Sequence, residues 1–239
     1  MKAPELTIIV PIYNEEGNLL RLKNILTAYF EKASLRAKAL LIDDGSSDKS
    51  LELIQAICND SEYFTYISFD KNYGLSSAIK AGFDYVESPL TGYIDADLQT
   101  DPNDFELLLP HINKYELVLG NRNHERKDSI LKNLSSKVAN AIRRAFTNDG
   151  VDDTGCPLKI IKTDIAKRIP MFRGLHRFLP AMVMLQNGTV KQVNIKNYPR
   201  LAGQSHFGLA NRIVGPLLDC FAYLWMKKKY INYKVQKQS

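Results

Sequence analysis

The first 120 residues alternate short β-branched runs with stretches of helical spacing, and most runs end at a polar turn. Thr7-Ile8-Ile9-Val10 stops at Pro11, and Ala39-Leu40-Leu41-Ile42 stops at Asp43-Asp44-Gly45-Ser46. Residues 64–69, Tyr93-Ile94 and Leu117-Val118-Leu119 read as further strands. Leu19, Leu22, Leu26 and Tyr29 recur at helical spacing, which predicts a helix over about 15–33. Leu51, Ile54 and Ile57 predict a second helix, residues 75–86 a third, and Asp101-Pro102 opens a fourth with proline in its first turn. This alternation predicts an α/β fold: a mostly parallel sheet flanked by helices, with its ligand crevice beyond the strands' carboxyl ends.

The second half is less regular. Residues 129–146 read as a long helix with a basic end at Arg143-Arg144. Lys159-Ile160-Ile161 and residues 190–195 have strand character. Near the C-terminus Val214, Leu217, Leu218, Phe221, Leu224 and Trp225 keep helical spacing, and Lys227-Lys228-Lys229 follows. Two readings fit this amphipathic segment. One is a core-packing helix whose cationic end suits its dipole. The other is an interfacial helix on an anionic membrane, with Tyr223 and Trp225 at the headgroup level. No internal repeat divides the chain, so the expectation is one domain over 1–208 and a helical, basic extension over 209–239.

Composition narrows the partners. The net charge of +6 favours anionic ligands. No zinc-finger spacing, RNA-binding signature or dense basic run in the body of the chain points to nucleic acid. Cys58, Cys156 and Cys220 are distant and odd in number, as expected of reduced thiols in a cytoplasmic protein. The first apolar run is too short for a signal peptide, and none reaches the ~18 apolar residues of a membrane span.

The strand ends carry the chemistry. In Asp95-Ala96-Asp97-Leu98-Gln99, oxygen-bearing side chains alternate, so an extended segment would turn them to one face. Hard oxygen ligands in that arrangement suit Mg²⁺ or Mn²⁺, most often held with a diphosphate. Asp43-Asp44 could accept hydrogen bonds from a base or ribose, or form an acidic turn with Ser47 or Asp48 as helix cap. Tyr13 could stack on a base and Glu15 hold a ribose hydroxyl, although Asn14 as a helix cap accounts for that segment equally well. Asn72-Tyr73-Gly74 starts a helix whose N–H groups could face phosphate, while Ala78 and Gly82 there could serve close helix–sheet packing.

Val10-Pro11-Ile12-Tyr13-Asn14-Glu15-Glu16, Asp43-Asp44-Gly45-Ser46-Ser47-Asp48, Asn72-Tyr73-Gly74, the Asp95–Pro102 stretch and Gly120-Asn121-Arg122 occur in that order. Together they resemble the inverting family 2 glycosyltransferases of GT-A fold, and Asp-Ala-Asp-Leu-Gln resembles the dolichyl- and polyprenyl-phosphate sugar transferases in particular. Asp153-Thr154-Gly155-Cys156, His176-Arg177-Phe178-Leu179-Pro180 and the 200–208 segment agree, so the resemblance spans roughly 6–229. It implies that Pro11, Tyr13, Glu15, Asp43, Asp44 and Ser46 line a nucleoside pocket, with Asn72, Ala78, Asp95 and Ala96 also on the nucleotide sugar. It implies Asp95, Asp97 and Gln99 around the metal, Asp97, Asp153, Arg122 and Arg200 as the catalytic residues, and Arg122, Arg200 and Ser205 at an acceptor phosphate. Two positions depart from the family pattern. Ser205-His206-Phe207 stands where Ser-Lys-Tyr is frequent, and Cys156-Pro157-Leu158-Lys159 follows Gly155 where an arginine is frequent.

The implied activity is inverting transfer from a UDP- or GDP-sugar to a polyprenyl phosphate, on the cytoplasmic face of a membrane that the enzyme meets peripherally. A hydroxyl acceptor in lipopolysaccharide or exopolysaccharide assembly is the alternative, and a non-catalytic nucleotide-sugar-binding protein is a third. A hydroxyl needs a base, for which Asp153, or less readily Asp152, is the residue. A phosphate monoester, with a second pKa of about 6, already offers an oxyanion near neutrality. Asp153 would then position the acceptor or serve structure alone.

Overall fold

The computed structural model describes residues 3–122, 143–196, 198, 214–232 and 236. Its first half alternates without exception: β1 (Leu6–Ile12), α1 (Glu16–Phe30), β2 (Ala37–Asp43), α2 (Ser50–Asp60), β3 (Phe64–Ser68), α3 (Leu75–Tyr85) and β4 (Leu90–Tyr93). There follow α4 (Phe105–Leu108), β5 (Leu117–Asn121), β6 (Lys159–Lys162), α5 (Thr163–Arg168), α6 (Leu179–Leu185), β7 (Val190–Asn194) and α7 (Val214–Lys229). The seven strands form one sheet in the order β3-β2-β1-β4-β6-β5-β7. β1 pairs parallel with β2 and β4, β2 with β3, and β5 with β7, whereas β6 runs antiparallel to both β4 and β5.

Alternation along β1 builds two cores. Ile8 and Val10 point to one face and meet Leu19, Leu22 and Leu26 of α1, Ile54 and Ile57 of α2, and Phe105 of α4. Ile9 points to the other and joins Ala78, Ile79 and Phe83 of α3, Phe178, Met182 of α6, and Cys220 and Tyr223 of α7. A strand buried on both faces is why the run Leu6–Ile12 is continuously apolar except for Thr7 and Pro11. α3 lies very close to the sheet: a Cβ on Gly82 would come within 2.8 Å of Ile9.

Three local outcomes differ from the sequence expectations. The helix opened by Asp101-Pro102 is broken into a 3-10 turn (Pro102–Asp104), the four-residue α4 and a second 3-10 turn (Leu109–His111). Asp101 does cap it, accepting the Asn103 N–H at 2.9 Å, but Pro110 brings no N–H to extend the helix. α5 and α6 are additional, and of the expected 129–146 helix residues 143–147 are helical, with 129–142 outside the described residues. α7 buries one side and exposes the other. Tyr223, which the interfacial reading places at the headgroup level and the core-packing reading inside, is only 3% exposed and stacks on Phe178 with ring centroids 6.0 Å apart. Among the described residues no helix is long and apolar enough to cross a membrane.

Candidate active site at the carboxyl ends of the strands

The loops after β1 and β2 are sewn to each other. Asn14 adopts a left-handed conformation (φ 53°), and its side-chain oxygen accepts the Ser47 N–H at 2.8 Å. Ser46 Oγ accepts the Asn14 N–H at 3.0 Å, and Ser50 Oγ the Glu15 N–H at 2.9 Å. The helix caps are exchanged: Asp48 accepts the Glu16 N–H at 3.2 Å, and Glu16 accepts the Lys49 N–H at 2.9 Å. Neither Asn14 nor Ser47 therefore caps its own helix. Asp48 does cap its own helix as expected, accepting the Ser50 N–H at 2.9 Å. Each helix N-terminus also receives a carboxylate from the other segment, which suits its positive end.

Asp43 and Asp44 are buried behind this seam. Asp43 accepts the Ser46 N–H at 3.1 Å and the Ser68 hydroxyl at 2.8 Å. Asp44 accepts Asn72 Nδ2 at 3.1 Å, the Tyr73 N–H at 2.7 Å and the Gly74 N–H at 2.8 Å. Burial raises the Asp44 carboxyl above its ordinary value, and those two backbone N–H groups oppose the rise. Gly45 is required here: its φ is +66°, and a Cβ would lie 2.2 Å from the Lys71 carbonyl carbon. Of the expected nucleotide-binding residues, Glu15, Asp43, Asp44, Ser46 and Asn72 are thus tied into one loop cluster, with Tyr13 in the loop after β1 and Pro11 in β1 itself. Ala78 does not belong with them, because it has no exposed surface and serves helix–sheet packing. The Ala96 side chain is likewise enclosed, in the opposite core.

The second acidic motif is built differently. β4 ends at Tyr93, and Ala96-Asp97 form a turn rather than the extended segment that alternation presupposed. Leu98 is left-handed (φ 53°) and buried, a conformation that a leucine keeps only when its surroundings impose it. Asp97 accepts the Gln99 N–H at 3.1 Å, so the turn itself brings the two residues together. The Tyr93 hydroxyl donates to Asp95 at 2.6 Å. Burial first, and Asp97 second, push the Asp95 carboxyl up, while the Tyr93 hydrogen bond, Lys159 and Arg122 hold it down.

Arg122, at the end of β5, meets Asp153 in a buried two-pronged ion pair. Nε lies 2.9 Å from Oδ2 and Nη2 3.1 Å from Oδ1, with exposures of 5% and 1% for the two residues. The Arg122 backbone N–H also donates to Asp153, at 3.2 Å. Although burial acts against it, this pairing raises the guanidinium above its usual value. Asp152 faces outward and pairs with Arg144. Arg200 and Ser205 lie outside the described residues.

Two residues that lie in the quoted motifs but were given no site role, Lys159 and His176, complete the cluster. Lys159 is 4% exposed, donates to the Cys156 carbonyl and sits 5.0 Å from the centroid of the Tyr93 ring. His176 lies 2.8 Å from Ser76 through Nδ1, and that hydroxyl accepts the Gly174 N–H at 2.9 Å. The Ser76 hydroxyl thus links the His176 ring to the Gly174 backbone. Burial, aided by Arg177 and Lys159, lowers the imidazole to about 3, so the ring is neutral near pH 7.

Ion balance shows what the site can accept. Asp95, Asp97 and Asp153 face Arg122 and Lys159, one negative charge in excess when all are ionised. A divalent cation fits that excess and relieves the repulsion between Asp95 and Asp97. Among the described residues no group of three His, Cys, Asp or Glu is arranged to hold a metal. Asp95, Asp97 and Gln99 would therefore leave several coordination positions to ligand oxygens and water.

The comparisons give the family and the fold. The model of glycosyl transferase family 2 matches residues 7–169, and the chain belongs to that family. It is 31% identical over 219 residues to the undecaprenyl-phosphate 4-deoxy-4-formamido-L-arabinose transferase of Photorhabdus laumondii, covering 90% of this chain and 67% of the relative. It is 27% identical over 232 residues to the dodecaprenyl-phosphate galacturonate synthase of Rhizobium johnstonii, covering 94% and 69%. Among solved structures, glucosyl-3-phosphoglycerate synthase from Mycobacterium tuberculosis, in complex with Mn²⁺, UDP-glucose and phosphoglyceric acid, superposes with a TM-score of 0.69. Its identity is 13%, over 96% of this chain and 81% of that one. The mannosyltransferase PcManGT from Pyrobaculum calidifontis, with GDP-mannose and Mn²⁺, gives 0.66 at 14% identity, over 93% and 64%. The fold is GT-A.

Proposed function

We propose that the chain is a divalent-cation-dependent inverting glycosyltransferase that moves a sugar from a UDP- or GDP-sugar to a polyprenyl phosphate. The observation that carries the acceptor assignment is the Arg122–Asp153 pair. Both oxygens of the best-placed base are already engaged by a buried guanidinium. A hydroxyl nucleophile would find no ready base there. A phosphate monoester needs none, and the polyprenyl-phosphate relatives support the same choice.

The loop cluster of Tyr13, Glu15, Asp43 and Asp44 would hold the nucleoside, its shape fixed by the exchanged caps before any ligand arrives. Asp95, Asp97 and Gln99 would hold Mg²⁺ or Mn²⁺, which supplies Lewis-acid stabilisation to a departing diphosphate. Arg122, oriented by Asp153, would face the reacting phosphates, and Arg200 and Ser205 would meet the acceptor. α7 would rest on an anionic membrane surface. Leu218, Phe221 and Trp225, 65%, 60% and 67% exposed, form one stripe, and exposed Lys227, Lys228 and Lys229 follow it.

Labelled UDP- and GDP-sugars with Mn²⁺ should be offered a short polyprenyl phosphate, the matching prenyl alcohol and phosphoglycerate. Product is expected with the polyprenyl phosphate only, its rate rising through about pH 6 as the acceptor ionises and then levelling. Transfer to the alcohol or to the glycerate hydroxyl would replace the lipid-phosphate reading with a hydroxyl one. Sedimentation with phosphatidylglycerol vesicles, weakened by Trp225→Ser, checks the placement of α7.

A further inference from the structure

Lys159 opens β6, directly across from Tyr93, and the next two residues, Ile160 and Ile161, are buried. An ammonium in such a position is unfavourable by several kcal/mol unless an anion meets it. Its direct partners within the chain are a carbonyl and an aromatic face, the Cys156 oxygen and the Tyr93 ring, while Asp95 and Asp153 act on it only from beyond ion-pair distance. Among the described residues no carboxylate lies within ion-pair distance of Nζ, although Asp95 is held by the hydroxyl of the same tyrosine. The two cations of the site are therefore unequal. Arg122 has a matched carboxylate, whereas Lys159 has three donors and one carbonyl.

A divalent cation on Asp95 and Asp97 would sharpen this inequality. It would take up the carboxylate charge nearest Lys159 and leave the whole cluster with one positive charge in excess. Building on the function proposed above, we propose that Lys159 is a ligand-facing cation that binds a phosphoryl oxygen in the cleft. The phosphoryl group belongs to the donor diphosphate or to the acceptor monophosphate. A lysine is a point charge without the guanidinium fork, so it suits either.

Binding measurements separate these sources without relying on turnover. Isothermal titration should compare wild type, Lys159→Met and Lys159→Arg against UDP and GDP with Mn²⁺, uridine and guanosine, and a short polyprenyl phosphate. Lys159→Met is expected to weaken one phosphate-bearing ligand by about 10–100-fold, leave the nucleosides unchanged, and be largely rescued by Lys159→Arg. Loss against the nucleoside diphosphates assigns the donor, and loss against the polyprenyl phosphate alone assigns the acceptor. If Lys159→Met fails to fold, ¹⁵N-lysine NMR of the wild type decides, with Lys159→Arg identifying the resonance. A Lys159 ammonium signal that does not shift with any phosphate ligand overturns the proposal. So does a folded Lys159→Met that binds every phosphate ligand as wild type does. Wild type that binds neither a nucleoside diphosphate nor a polyprenyl phosphate would sink the functional reading and this inference together.

Discussion

Two acidic pairs sit at the carboxyl ends of β2 and β4, on either side of β1, and they are satisfied in different ways. Asp43 and Asp44 are met mostly by neutral donors: three backbone N–H groups, a hydroxyl and an amide. Asp95 and Asp97 lie instead in a field of charges, with Arg122 and Lys159 opposing their mutual repulsion. Neutral donors fix a shape that barely responds to ions. Charges leave a balance that a cation, a phosphate or a proton can change. On the proposed function the first pair would be scaffold for a pocket and the second the place where ligand charge is received.

Substitutions can break this contrast. Asp97→Asn should leave the melting temperature near that of wild type while lowering transfer by about 10³-fold, because the cation's contribution of several kcal/mol is lost. Calorimetric Mn²⁺ titration in the presence of a nucleoside diphosphate should lose its signal in step. Asp44→Ala should do the reverse. Losing a carboxylate that accepts three hydrogen bonds destabilises the fold by about 3 kcal/mol or more, read as a lower midpoint in urea. Gly45→Ala acts on the same loop, with about 1–2 kcal/mol of left-handed strain before its backbone clash is counted.

Protons provide a milder perturbation, and it falls on the charged region. His176 is held neutral in the fold at about 3, below the ordinary imidazole value of about 6.5. Between those values the unfolded chain binds the extra proton, so stability present above pH 6.5 is lost as pH falls, by at most about 1.4 kcal/mol per pH unit. Urea midpoints measured from pH 7 to 5 should therefore fall less steeply in His176→Gln than in wild type. The smallest expected effect is Glu16→Ala, about 0.5–1 kcal/mol for one exchanged cap, with cation binding unaltered.

Much of the scaffold could be read in advance because β-branched runs and helical repeats are local signals. Strand-end placement of Asp43-Asp44 and Asp95-Ala96-Asp97 followed from them. The exchanged caps could not be read, since Asn14 and Ser47, 33 residues apart, each make good sense as a cap at home. The pairing of Arg122 with Asp153 spans 31 residues and depends on β6 returning between β4 and β5. The left-handed Leu98 defeated the alternation argument, because leucine gives no warning of such a turn. Lys159 did leave a trace, a single charge set in an otherwise apolar run from Pro157 to Ile161. That trace gains meaning only once Tyr93 is known to be its neighbour.

The returning strand has a consequence for how such enzymes can be recombined. Residues up to Asn121 carry the nucleoside loops and Asp95-Ala96-Asp97, while Asp153, Lys159 and His176 all come later. A crossover after β5 would exchange the later set as one cassette. Yet β6, part of that cassette, is wedged between two strands of the recipient, so the graft must supply an interior strand as well as an acceptor face. On the proposed function, acceptor preference would thereby be tied to the middle of the sheet, and chimeras should succeed only between parents whose β4 and β5 edges are interchangeable.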